Sequence, residues 1–286
     1  MPDPKVEDVF KTSGVPTHTF VEPGEFRNLR VALRSAGKGV VVEGPSGIGK
    51  STGVSQALAA EKLGDALTLS ARVPADVELI HLLSEIEEFG MAVIEDFHAL
   101  DMALQREIAD LMKVLADESS RTGKLVIIGI PRAGESLVKH APDLANRIET
   151  IRFAVEPDKK IEELIALGER ALNIELTARA DVVRAAAGSF YLAQMLCFEV
   201  CVAEDVLERR DEIQVLRLPY DAVKKRVHSA QESRYGDIAR EFARGTRFRP
   251  SGRAPYFHVL RWLADSRSSR FHCATRWPAT RMSARA

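Results

Sequence analysis

Residues 44–52 read GPSGIGKST, and no other stretch limits the fold of this chain as strongly. Gly44, Pro45, Ser46, Gly47, Ile48, Gly49, Lys50 and Ser51, followed by Thr52, match the pattern G-x-x-x-x-G-K-[ST] in full. Glycines let the backbone curl until successive N–H groups face one anion, as phosphate oxygens require. A helix opening at Lys50 adds the positive end of its dipole. Lys50 reaches the β- and γ-phosphates, and the Ser51 hydroxyl can ligate Mg²⁺. The flanks suit that chemistry. GKGVVVEG before the loop is a short β-branched run that reads as a buried strand, and STGVSQALAAEKLG after it reads as a helix ending at Gly64. Residues 44–52 are therefore expected to bind ATP with Mg²⁺.

The remaining pattern extends this unit. A helix is expected from about Gly24 to Ser35, and strands at ALTLSAR, MAVIED, KLVIIGIP and ETIRFAV. Amphipathic spacing predicts helices over ALQREIADLMKVLADES and DVELIHLLSEIEEFG; in the second, Leu79, Leu83 and Ile86 share a face with Ile80 at its edge. Strands alternating with helices imply a three-layer α/β/α core with a mostly parallel sheet. From Pro157 the pattern turns helical, through DKKIEELIALGERALN, ARADVVRAAAG and SFYLAQMLCFEVCVAEDVLE, with EIQVLRL as one further candidate strand. The expected organisation is a loose lead-in over residues 1–14, a core over 15–155, a helical lid domain over 156–235 and a basic segment over 236–286.

MAVIED ends in two adjacent acids, Glu95 and Asp96. A buried strand should carry an acid to its C-terminal end, near Mg²⁺ and the attacking water. The residues Val93-Ile94-Glu95-Asp96-Phe97-His98-Ala99-Leu100 line up with V-I-D-E-A-H-x-L, with the acids exchanged and Phe97 in place of Ala. With the phosphate loop, this resembles the AAA+ ATPases, especially the compact bacterial type related to secretion, transposition and origin-recognition ATPases. The resemblance covers about residues 15–200. It implies an ATP hydrolase in which binding and hydrolysis drive conformational change or assembly of a partner complex.

By position it assigns Glu95 the Mg²⁺-side role, through water, and Asp96 the polarising of the attacking water; the reversed order leaves open which acid does which. The exchange alters each reach by about 1.5 Å, and a misplacement of about 1 Å can cost on the order of a hundredfold in rate. Slow hydrolysis is therefore expected. His98 reads either as catalytic or as a structural residue at the strand exit.

The resemblance also implies an arginine finger at Arg147, within DLANRIETIRF, completing a neighbouring subunit's site in a homo-oligomer; the alternative is an arginine facing a helix dipole. Ile130 stands where a polar sensor would be useful, with Arg132 as a substitute or a surface turn residue. AAAGSFYLAQML resembles the lid helix that often holds a second sensor arginine, but Phe190, Tyr191 and Leu192 stand there. GVPTHTFVEP occupies the adenine-pocket position, where Phe20 or Val21 would pack on the base or simply fill the core.

Composition narrows the function classes. The 286 residues are 45% hydrophobic with net charge −1, which gives no global case for nucleic-acid or membrane binding. The N-terminus lacks a secretory pattern and no apolar run approaches a membrane span, which points to the cytoplasm. Three cysteines make no disulfide framework; Cys197 and Cys201, four apart, read as buried thiols or half of a zinc site. Beyond Arg244, arginines interleave with Phe248, Tyr256, Phe257 and Trp262, a mixture that suits DNA or docking on the lid. After Asp265 no acidic residue occurs, and that tail reads as atypical or disordered. Two rival functions stay open. One is a nucleotide-gated scaffold in signalling, defence or DNA-partner loading that barely hydrolyses ATP, with a protein partner still to be identified. The other is a small-molecule kinase.

Overall fold

A computed structural model describes residues 3–129, 137 and 142–227, with single positions at 229, 237, 240 and 241. The basic segment beyond Arg244, the tail, Ile130 and Arg132 lie outside the described residues. By compactness the chain divides into Met1–Lys224 and Lys225–Ala286; the elements below belong to the first unit.

Five strands form one parallel sheet: β1 (Gly39–Glu43), β2 (Leu67–Ser70), β3 (Gly90–Glu95), β4 (Gly123–Gly129) and β5 (Ile148–Arg152), in the order β2-β3-β4-β1-β5. The central position of β1 explains its composition. All its residues are buried, and a strand covered on both faces is apolar along its run, here up to Glu43, whose carboxylate accepts from Arg152 Nε. Successive side chains still alternate between two cores. Val41, Ile94 and Ile127 join one cluster, under α4 (Pro74–Leu82) and α5 (Met102–Asp117). Val40, Val42, Val93 and Val126 join the other, under α2 (Phe26–Arg34) and α3 (Lys50–Ala60). The expected three-layer α/β/α arrangement is present.

Residues after Pro157 form α6 (Asp158–Leu172), α7 (Arg179–Ala186) and α8 (Phe190–Ala203), with a small parallel pair β6 (Ile174–Leu176) and β7 (Gln214–Leu216). Asp101 and Ser189 cap α5 and α8 through their side chains.

Three local expectations are corrected. The first residues are not a loose lead-in: α1 (Val6–Val9) is seated in the helical part, with Val9 and Phe10 fully buried. The Phe10 ring lies against Gly168 of α6, where any added Cβ would sit 2.2 Å from it. Helix α4 stops at Leu82, so the predicted stripe breaks up: Ile80 and Leu83 are buried, while Leu79 and Ile86 are 44% and 46% exposed. Glu85, Glu87 and Glu88 would load the negative end of a longer helix with like charge. Helix α3 ends at Ala60 rather than near Gly64, because Lys62 turns left-handed and the Leu63 N–H returns to the Leu58 carbonyl.

Candidate functional site

Parallel strands place all their C-terminal ends on one edge, and the candidate residues collect there. The phosphate loop leaves β1 after Glu43, while β4 lies between β1 and β3 and brings Ile128 and Gly129 to the same edge. Glu95 is the last residue of β3. A cleft of about 530 Å³ opens above this edge, lined by the loop, Glu95, Asp96 and the start of α8.

Within the loop, Gly49 takes φ 96 where α3 begins, a conformation open mainly to glycine. Gly44 approaches β5 so closely that an added Cβ would meet the Phe153 carbonyl oxygen at 2.5 Å. These two positions shape a cradle that side chains would fill. Ser46, Gly47, Gly49, Lys50, Ser51 and Thr52 line the cleft, whereas Ile48 is buried in the core beneath it. Pro45 is exposed and does not line the cleft. The Lys50 ammonium donates to the carbonyls of Gly44 and Pro45, at 2.9 and 2.8 Å. Burial pushes its pKa down, and the nearby Asp96 charge opposes that shift.

The acids diverge in backbone as well as in length. Glu95 is still in the sheet and its carbonyl accepts from the Ala71 N–H, while Asp96 turns out at φ 54 in the left-handed region. Asp96 accepts a 2.6 Å hydrogen bond from Arg72 Nε, and Arg72 also lies 3.4 Å from His98 Nε2. Arg72 emerges just beyond β2, whose Ser70 pairs in register with Glu95. Nothing local in the sequence marks it: parallel pairing of β2 with β3 is what brings it to Asp96. The described residues show no cluster of three His, Cys, Asp or Glu side chains able to hold a metal on their own. The Ser51 and Glu95 oxygens on one cleft nonetheless suit a hard cation such as Mg²⁺, which keeps several of its own waters. Cys197 and Cys201 are both buried on α8, and burial raises both thiols, Cys201 to about 12.

No protein-family model matches the sequence, and no curated protein matches it. Solved structures do. The Orc1 protein of Aeropyrum pernix, solved in complex with DNA, is 15% identical with a TM-score of 0.58, over 83% of this chain and 72% of that one. The RuvB Holliday junction branch migration motor of Thermotoga maritima is 18% identical with a TM-score of 0.50, over 70% of this chain and 66% of that one. Cdc6p of Pyrobaculum aerophilum gives 15% and 0.50, over 70% and 66%. The chain thus spans about two thirds of the length of the RuvB and Cdc6p structures.

The chain has the AAA+ fold.

Other positions singled out by the AAA+ resemblance are placed as follows. Arg147 precedes β5 by one residue, and β5 runs parallel to β1 with Gly39 opposite Ile148 and Glu43 opposite Arg152. Arg147 is therefore at the sheet edge opposite the phosphate loop, on the order of 15 Å away along the strands. It donates to Asp117 at 2.5 Å and to the Asp143 carbonyl at 2.7 Å. At the start of α8, Tyr191 lies over Gly47 and Phe190 over Gly49. Phe20 and Val21 also line the cleft, and the Phe20 ring meets Phe26 edge to face at 5.5 Å. No helix among the described residues is long and apolar enough to cross a membrane.

Proposed function

We propose that this chain binds ATP with Mg²⁺ on residues 44–52 and hydrolyses it slowly, using the cycle to change conformation or to assemble a partner complex. The observation that carries the reading is the convergence of the loop, Ser51, Glu95 and Asp96 on one cleft at the C-terminal edge of a parallel sheet. Loop N–H groups and the α3 N-terminus meet the phosphates. Lys50 exchanges its two loop carbonyls for β- and γ-phosphate oxygens. Ser51 and Glu95 would hold Mg²⁺, which would supply neutralisation of the phosphate charge. Asp96 accepts a hydrogen bond from the attacking water.

Arg147 serves a neighbouring copy, since it stands far from its own loop. Its pairing with Asp117 and Asp143 lies at the surface, where ion pairs are weak and screened, so a phosphate can displace them. The helical part after residue 156 acts as a lid through Phe190 and Tyr191. The solved likenesses to a branch-migration motor and to a DNA-bound Orc1 make DNA the first partner to try.

The Arg72–Asp96 ion pair favours a second reading, a nucleotide-gated switch, because the acid that should meet water is already engaged. ATP binding and steady-state hydrolysis across protein concentrations, for wild type and Lys50→Ala, separate the two. Lys50-dependent turnover that rises per subunit with concentration supports the assembling ATPase. Lys50-dependent binding without turnover supports the switch, and loss of neither function in the variant would overturn both.

A further inference from the structure

One side of α4 is apolar and acidic at once, and the core does not use it. Val77, Ile80 and Leu83 face the cluster beneath the helix. Leu79 and Leu82, three apart on α4, are exposed instead. Residues three apart share one side of a helix. Ile86, four residues on and also exposed, continues the apolar run past the helix end, where the Glu85 N–H returns to the Leu82 carbonyl at 3.0 Å. A single exposed leucine needs no explanation, whereas several large apolar side chains in one short run mark an interaction surface.

The charge around this run has one sign. Between Val73 and Phe89 the chain carries Asp76, Glu78, Glu85, Glu87 and Glu88 and no lysine or arginine. Asp76 is used internally, accepting from the Ser70 N–H, and His81 meets Glu107 of α5. Arg72, just before α4, is taken by Asp96. Glu78, Glu85, Glu87 and Glu88 are exposed, and none makes an ion pair among the described residues.

That combination selects the kind of partner. Carboxylates repel the phosphates of nucleic acid, and two copies of the same face would set like charges against each other. An apolar run carried on a helix is matched by a second helix laid along it, apolar at three- and four-residue spacing. Its flanks have to be cationic.

We propose that this face docks a basic amphipathic helix of a partner protein, with apolar side chains on Leu79, Leu82 and Ile86 and lysines or arginines against Glu78, Glu85, Glu87 and Glu88. None of these residues lines the nucleotide cleft, so the docking face stands or falls independently of nucleotide binding.

The test uses two synthetic helical peptides with the same leucine stripe, one flanked by lysines and the other by glutamates, titrated against the full chain by fluorescence anisotropy. The lysine peptide should bind at least about tenfold tighter, and its affinity should fall as salt rises. Combining Glu78→Lys with Glu85→Lys should reverse the order of the two peptides. Combining Leu79→Ser with Leu82→Ser should weaken the lysine peptide about tenfold or more. All four positions are exposed, so both variants should keep the wild-type urea midpoint. Equal binding of the two peptides, or unchanged binding in both variants, would overturn the proposal. Self-association of the wild type that is lost in the serine variant would assign the face to a second copy instead, and duplex DNA binding lost in that variant would assign it to nucleic acid; either result overturns the proposal. Should one variant fail to fold, the other variant and the wild-type comparison of the two peptides still decide.

Discussion

Glu95 ends β3 in extended backbone, and Asp96 leaves it left-handed with Arg72 on its carboxylate. The exchange of acids is therefore more than a swap of side-chain lengths, because the second acid departs on a turned backbone and meets a cation. Combining Glu95→Asp with Asp96→Glu restores the usual order and should raise steady-state turnover; no gain would show that the order is not what limits the rate. Arg72→Ala releases Asp96 and should raise basal turnover several-fold without loss of nucleotide affinity. A fall in turnover would mean that Arg72 positions the acid and does not restrain it. Lys50 gives a pH prediction. It must be charged to hold phosphate, burial lowers its pKa, and Asp96 partly offsets that. Asp96→Asn removes the offset, so the alkaline limb of nucleotide binding should move to lower pH, read from affinity against pH. At this scale the sequence is legible where a motif is local. Residues 44–52 and the acid pair sit in continuous patterns, whereas Arg72 reaches the cleft through strand pairing that no spacing records.

The strands are legible because β1, β3 and β4 are covered on both faces and so become short apolar runs. Helix ends are less so. The true end of α3 depends on Lys62 adopting a conformation its residue type rarely favours, and the end of α4 on an acidic stretch whose apolar positions mimic a continued stripe. Of the small pair, β7 falls within the expected EIQVLRL, while β6 is too short to display a period. The N-terminal segment misleads for a different reason. Val6, Val9 and Phe10 are its buried residues among those described, and three apolar residues among polar ones look like a loose end until Gly168 supplies the matching gap and Lys5 bridges to Glu208. Phe10→Ala should cost about 3–5 kcal/mol, the usual range for a buried phenylalanine, measured by urea unfolding. A loss below about 1 kcal/mol would mean that α1 is not part of the folded helical body.

At the scale of the whole molecule, Arg147 and the phosphate loop lie at opposite edges of one sheet. In the proposed assembly a copy lends its arginine and receives another's, and cannot serve itself. Lys50→Ala and Arg147→Ala should each be inactive alone, and mixing them should recover a fraction of wild-type turnover at junctions that combine one intact edge from each. No recovery on mixing, with each variant folded, would sink the shared site. A second consequence concerns where the two ends of a ligand are gripped. The phosphate cradle is built on β1 and α3, while Thr19, which donates to the Val9 carbonyl at the end of α1, lines the same cleft from the helical part. A ligand reaching both ends works as a spacer bar clamped between two frames. Adenosine and inorganic triphosphate, each long enough for one clamp only, should bind without fixing the gap, and the intact nucleotide alone should set its width.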